Sequence, residues 1–271
     1  MLTFQDIDSF ELPGLEPYRT MRLPHEHWVQ RIFVAEGEKV VRRLLESELD
    51  VISVLMPRHH AEAMRPLLEP RAATLRVYTA EKSLLEQLAG YSMYQGVMAV
   101  ARMPHPLSLD ATWQRSARSR LFAAVDGLAN AENLGAVVRS AVAFGIQAFL
   151  VGETSSSPYL RRAVRSSMGT VFQMPVIETH DLAAALRELR ERGMRCVAAH
   201  PHAGGRTVAQ ADFAGDACIV LGSEGEGVAP EVLAACDEGV AIPMPPTVDS
   251  LNVASAAAVF FYEARRQRGG M

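Results

Sequence analysis

Three clusters in the second half of the chain combine glycines with carboxylate, amide and guanidinium side chains, each where a strand candidate meets a loop or helix. In open α/β sheets ligands bind at the carboxyl ends of strands, so such junctions are where chemistry is expected. The first cluster is Asn133-Leu134-Gly135-Ala136-Val137-Val138-Arg139, which follows an apolar run ending at Asp126. Asn133 suits a helix N-cap, Gly135 permits close backbone approach, and Arg139 falls nearly two turns further along. An arginine on a solvated helix face needs no partner. The neighbours Val137, Val138, Ala141 and Val142 leave partial burial open beside that reading, and a buried guanidinium calls for a phosphate or carboxylate.

The second cluster, Leu221-Gly222-Ser223-Glu224-Gly225-Glu226-Gly227, directly follows the apolar run Cys218 to Leu221. Its glycines expose backbone N–H groups and let a flat ligand approach closely. It lacks the Gly-Lys-Ser/Thr of a P-loop and the glycine spacing of a dinucleotide fingerprint. Two carboxylates in so short a loop also weigh against a pyrophosphate. The third cluster runs from Ile242 to Ala254: a strand ends in a loop stiffened by Pro243, Pro245 and Pro246, and Ser250 is positioned to cap the last helix. That leaves Asn252 inside the first turn, where asparagine is a mediocre helix former. His200 and His202 share a glycine-rich turn that reads as solvated, and no metal site is expected.

The elements needed to hold these clusters are legible as alternating periodicity. From Arg120 onward, strand candidates at 121–125, 148–151, 174–177, 196–199, 218–221 and 240–242 alternate with helix candidates at 134–144, 182–192, 230–236 and 251–266. Such alternation predicts a mostly parallel sheet covered on both faces. Residues 28–103 read as a smaller α/β unit: apolar runs at 31–35, 51–56, 75–78 and 97–101 are separated by helical patterns at 38–49, 61–68 and 83–88. The proline-bearing stretch 105–119 is the expected linker. The predicted organisation is therefore an N-terminal region 1–104 with its core at 28–103, the linker 105–119, and a domain from 120 to 271.

Composition narrows the class without naming a function. The 271 residues are 49% hydrophobic and carry a net charge of −4, an ordinary globular balance with no global signature of a nucleic-acid binder. Only Lys39 and Lys82 are lysines; an arginine excess suits bidentate phosphate recognition, but arginine-rich codon usage gives the same excess. No run of about 18 apolar residues predicts a membrane span, and the acidic start is unlike a secretory signal. Cys196, Cys218 and Cys236 are odd in number and lack metal-like spacing, so they read as reduced, buried thiols of a cytoplasmic protein.

In combination and order, Asn133/Gly135/Arg139, Leu221 to Gly227 and Ile242 to Ala254 resemble the three motifs of the SpoU (TrmH-like) RNA ribose methyltransferases. The resemblance covers about 120–266. The segments Phe33 to Lys39 and Gln95-Gly96-Val97 are similar to the small ribosomal-protein-like RNA-binding domain that many members carry. The resemblance implies a SPOUT-type α/β fold: a mostly parallel sheet with a C-terminal trefoil knot, preceded by a small α/β RNA-binding domain. It implies S-adenosylmethionine as cofactor, bound by Leu221, Gly222, Ser223, Gly225, Ile242, Met244 and Leu251. It places Asn133, Arg139, Glu224, Ser250 and Asn252 at the family's functional polar positions. It implies methyl transfer to a ribose 2′-hydroxyl of structured RNA, and a homodimer whose interface would take up apolar residues of the last helix such as Val253, Val259, Phe260 and Phe261. The extra N-terminal domain leans toward ribosomal RNA; transfer RNA is the alternative target, and a non-catalytic RNA-binding or ribosome-assembly factor is the alternative without chemistry. An unrelated nucleotide-binding enzyme would have to match three ordered motifs by accident. Phosphate contacts would come from local basic groups, Arg161, Arg162 and Arg165 on one helix and Arg115, Arg118 and Arg120 at the linker. Asn130-Ala131 stands where many members carry Asp-Pro, which predicts a less rigid first loop.

Overall fold

Strands of continuous apolar sequence alternate with amphipathic helices, and the chain resolves into two α/β units. The computed structural model describes residues 2–89, 96–201 and 206–269; Gln95 and His202 lie outside them. One unit comprises Met1–Pro104 with Tyr159–Phe172, the other His105–Pro158 with Gln173–Met271.

The first unit contains strands β1 (Phe4–Ile7), β2 (Ile32–Glu36), β3 (Val51–Pro57), β4 (Arg76–Ala80) and β5 (Met98–Arg102), in the spatial order β1-β4-β3-β5-β2. Its sheet is mixed: β4 pairs in parallel with β1 and β3, whereas β5 is antiparallel to β2 and β3. Helices α1 (Glu16–Arg19), α2 (Pro24–Val29), α3 (Glu38–Glu46), α4 (Ala61–Leu68) and α5 (Lys82–Ala89) accompany it. Strand β1 and the two short N-terminal helices carry no period in the sequence, yet Ile7, Leu15, Tyr18 and Met21 from this region are core residues.

The second unit begins with α6 (Leu109–Arg115), inside the stretch expected to be a linker; Ser108 Oγ caps it by accepting from the Ala111 N–H at 3.1 Å. Its strands are β6 (Leu121–Val125), β7 (Ala148–Val151), β8 (Val176–Glu178), β9 (Arg195–Ala199), β10 (Arg206–Thr207), β11 (Ala217–Leu221) and β12 (Glu238–Ala241). They form one parallel sheet in the order β10-β12-β9-β11-β6-β7-β8. Its other helices are α7 (Ala131–Ala143), α9 (Leu182–Glu191), α10 (Pro230–Ala234) and α11 (Val253–Gln267), while α8 (Arg161–Ser166) belongs to the first unit. Every residue of β6 and β11 is buried, as strands covered on both faces must be.

Several expectations are corrected here. Arg120 is buried, not a surface contact: it pairs with Asp216 at 2.9 Å and its guanidinium lies 4.0 Å over the Trp113 ring. Arg161 and Arg165 both turn to the buried carboxylate of Glu36, at 2.7 and 3.5 Å. Phe260 and Phe261 fill the protein's own core, leaving Val259 and Tyr262 as the exposed apolar residues of α11. Among the described residues no helix is long and apolar enough to cross a membrane.

Candidate active site

Strand β6 ends at Val125, and the chain turns immediately through Asp126 and Gly127, whose φ of +64° suits glycine. Ser155 and Ser156, after β7, hold this turn: Ser155 Oγ accepts from the Leu128 N–H at 3.1 Å, and the Ser156 N–H donates to the Leu128 carbonyl at 3.0 Å. The turn delivers Asn130 to the start of α7. Asn130, not Asn133, is the N-cap, its Oδ1 accepting from the backbone of Glu132 and Asn133 at 2.9 and 3.1 Å. Asn130 thus fixes the start of α7 through its side chain.

Freed from capping, Asn133 becomes the junction of the three motifs. Its Nδ2 donates to the Glu224 carboxylate, and its Oδ1 accepts from Asn252 Nδ2 at 3.2 Å. Asn252 is also the N-cap of α11, accepting from the Ala254 N–H at 2.9 Å. This corrects the assignment of that cap to Ser250 and explains an asparagine that sat poorly in a first turn. The loop carrying Glu224 is a tight turn closed by paired Ser223 and Gly227 backbone bonds at 2.9 and 3.1 Å. A Cβ on Gly222 would lie 2.0 Å from the Gly227 carbonyl carbon, so only glycine fits there. Asp126 anchors the far end of the loop by accepting from the Ala229 N–H at 2.7 Å. Burial, with Glu153 and Glu231 nearby, raises its carboxyl above the ordinary range against the lowering effect of that hydrogen bond.

Behind this junction lies a cavity of about 300 Å³ at the carboxyl ends of β9, β11 and β12. Leu221, Gly222, Ser223, Glu224, Gly225, Ile242, Met244, Ser250 and Leu251 all line it. His200 and Pro201, after β9, and Val253, Ala256 and Phe260, on one face of α11, line it as well, although His200 is expected on a solvated turn and Val253 and Phe260 at a dimer interface. The α11 residues could have been found from their spacing of three and four, which puts them on one helix face with the third motif. Glu224, Glu226 and Asp249 bring negative charge to the cavity, and no arginine or lysine is among its described lining residues. That donor set suits a cation with an apolar and hydrogen-bonding body, and opposes a polyphosphate.

Arg139 stands apart. It is exposed on α7, does not line the cavity, and makes no ion pair or hydrogen bond among the described residues. Six residues on from Asn133, it lies about 9 Å along the axis and about 120° around it. The three cysteines are free and buried; burial pushes the Cys236 thiol up to about 12, which leaves it unreactive at neutral pH.

Comparison with known proteins agrees with this architecture. The sequence model of the SpoU rRNA Methylase family matches residues 120–262. An uncharacterised tRNA/rRNA methyltransferase of Mycobacterium bovis is 31% identical over 98% of this chain and 93% of its own. The 23S rRNA (guanosine-2′-O-)-methyltransferase RlmB of Acinetobacter baylyi is 32% identical over 86% of this chain and 97% of its own. Among solved structures, the AdoMet-bound rRNA methyltransferase of Sinorhizobium meliloti shares the fold with a TM-score of 0.84 at 22% identity, covering 97% of this chain and 98% of that one. An RNA 2′-O ribose methyltransferase superposes with a TM-score of 0.76 at 29% identity, covering 98% of this chain and 99% of that one. With the family's motifs joined by hydrogen bonds at one cavity and its sequence pattern matched over more than half the length, this chain belongs to the SpoU rRNA methylase family.

Proposed function

We propose that the protein transfers a methyl group from S-adenosylmethionine to a ribose 2′-hydroxyl of ribosomal RNA. The observation that carries the reading is the Glu224–Asn133–Asn252 bridge, which draws all three motifs to the mouth of one cavity. The cavity fits the cofactor: Leu221, Ile242, Met244 and Leu251 offer apolar surface to the adenine, and the loop amides meet its polar edge. Its carboxylates favour a sulfonium over a phosphate. When bound, S-adenosylmethionine supplies a methyl group already activated for attack.

What remains for the protein is placement and charge. Glu224, Asn133 and Asn252 form a hydrogen-bonded polar rim that can orient the ribose, and Ser250 at the cavity adds a hydroxyl. The forked donors of the Arg139 guanidinium suit it to hold the phosphate next to the target ribose and to stabilise the developing alkoxide. Its freedom from protein partners suits a group reserved for RNA. Its distance along α7 from Asn133 is consistent with a site completed by a second copy, and the exposed Val259 and Tyr262 of α11 supply apolar surface for a homodimer. We further read the C-terminal segment as threaded into the family's trefoil knot, which its late strand β12, inserted between β9 and β10, supports. Residues 1–104 are read as the RNA-selecting domain and 120–271 as the methyltransferase domain. The RlmB relative, a 23S rRNA (guanosine-2′-O-)-methyltransferase, favours 23S ribosomal RNA; the mycobacterial relative, an uncharacterised tRNA/rRNA methyltransferase, keeps transfer RNA as the second reading.

The test is alkali-resistance mapping of RNA from a strain lacking the gene, after incubation with protein and S-adenosylmethionine. A 2′-O-methyl group removes the nucleophile of alkaline cleavage and leaves one gap in the ladder. A single new gap in ribosomal RNA is expected, with Arg139→Ala lowering the rate roughly 10²–10³-fold. Full activity in Arg139→Ala would remove it from the chemistry, and a gap confined to transfer RNA would reassign the substrate.

A further inference from the structure

A second pocket of about 310 Å³ opens in the same unit, at the other end of the sheet. Its wall includes Leu121, the first residue of β6, Gln147, just before β7, and Ala214, just before β11. These strands run parallel, so this wall lies at their amino ends, while the cofactor cavity lies at the carboxyl ends. A five-residue strand separates the two by roughly 15 Å.

Three arginines converge here, Arg118, Arg265 and Arg268, and no carboxylate is among the described lining residues. Arg268 is fixed, donating to the carbonyls of Ser119 at 2.7 Å and Arg120 at 3.0 Å. The side chains of Arg118 and Arg265 make no hydrogen bond or ion pair among the described residues. Arg265 Nη1 hangs 3.6 Å from the position a Cβ would take on Gly145. Its neighbour Arg266, in contrast, is doubly bonded to Glu263 at 2.8 Å, and Asp216 is held by Arg120. A basic residue in the last turn of α11 is accounted for by the helix dipole. That does not account for a second free guanidinium arriving from another element beside a third.

The wall also contains two buried polar atoms without a partner; Gln147 Oε1 is an acceptor and calls for a donor such as water, whereas Arg268 Nε is a donor that an anion would satisfy. Such atoms are uncommon in native proteins and are often explained by an ion or water. Burial, followed by the charge of Arg265, lowers the pKa of Arg268 against the opposing effect of Asp216 and Asp212, and a bound anion would add to the effect of those carboxylates. Phe144 lines the pocket, so aromatic surface for a base stands beside the guanidiniums.

We propose that this pocket binds a backbone phosphate of the RNA substrate, away from the nucleotide being modified; the assignment rests on the RNA reading above. Arg118 and Arg265 supply the forked donors that suit phosphate oxygens, and Arg268 adds field without moving. The expected phosphate is a diester, with free phosphate as the competing source of the same chemistry.

The test is the double variant Arg118→Gln/Arg265→Gln, which spares the structural Arg268. Its affinity for full-length 23S rRNA from the strain lacking the gene is expected to fall at least tenfold or so, and the salt dependence of log K to become shallower by roughly one to two. Its melting temperature and S-adenosylmethionine affinity should match those of the wild type. Unchanged RNA affinity and salt slope would overturn the proposal. So would thermal protection by inorganic phosphate that the variant loses while its RNA binding stays intact, since the pocket would then serve free phosphate. Wild-type protein that binds S-adenosylmethionine but not 23S rRNA would overturn the substrate reading itself, a failure visible before the variant is made.

Discussion

At the residue scale, the shape of the proposed site depends on Gly222 and Asp126. Gly222 has no room for a methyl group, because the Gly227 carbonyl carbon and the Val228 nitrogen would lie 2.0 and 2.2 Å from it. Gly222→Ala must therefore spring the turn that presents Glu224 and Gly225. Isothermal titration should show S-adenosylmethionine affinity reduced at least roughly tenfold, the effect of about 1.4 kcal/mol. Asp126 makes a second prediction, through pH. Its folded pKa is raised, so the native state binds this proton more tightly than the unfolded chain. Stability from this group is then fully present below the ordinary value of 3.8 and is lost as pH rises through the folded value. Asp126→Asn keeps an acceptor for the Ala229 N–H but cannot ionise. Urea unfolding should show the variant gaining on the wild type as pH rises from 4 toward 7; a constant difference would mean that the buried carboxyl is not perturbed.

At the scale of elements, two helix starts carry the geometry, and both were misread from sequence for the same reason. Capping preference identifies a residue type near a boundary, but it does not choose between Asn130 and Asn133 or between Ser250 and Asn252. In each case the sequence contained the correct cap within three residues, and tertiary bonds decided which side chain was left for the site. Asn130→Ala is expected to cost about 1 kcal/mol of stability, read from denaturant melts, and to lower methyl transfer because Asn133 loses its fixed helix start. Asn130→Asp should retain both, since the carboxylate accepts the same two N–H bonds and favours the positive end of α7. The central strands were legible because a parallel sheet covered on both faces demands unbroken apolar runs, as in 121–125 and 218–221. Strand β1 was not, because FQDI has two exposed polar residues and only its last side chain is buried. Helix α6 was hidden by the prolines at 104 and 106, which mark the turn before the helix and not a free linker.

At the scale of the molecule, the cavity proposed to take the cofactor is lined largely by contiguous motif residues, which a sequence displays, whereas the arginines left free to meet RNA are not displayed there. Sequence shows that an arginine is present, but not whether a carboxylate elsewhere in the chain has claimed it. Glu36 claims Arg161 and Arg165, and Asp216 claims Arg120, while Arg118 and Arg139 stay free. The same long-range dependence separates two cores, one around Ile7, Leu55, Tyr78 and Val100 and the other around Phe122, Leu150, Leu186 and Val220. Each is large enough to melt as a cooperative unit, and every described residue lining the cofactor cavity comes from the second. S-adenosylmethionine at a hundredfold its Kd adds about 2.7 kcal/mol to whichever unit binds it. Calorimetry should therefore resolve two transitions, with the cofactor raising one and leaving the other in place. Glu36→Gln, which weakens the hold on Arg161 and Arg165, should lower only the transition that the cofactor does not move. Both transitions rising together with cofactor would mean that the units unfold as one, and that RNA selection and methyl transfer share a single cooperative structure.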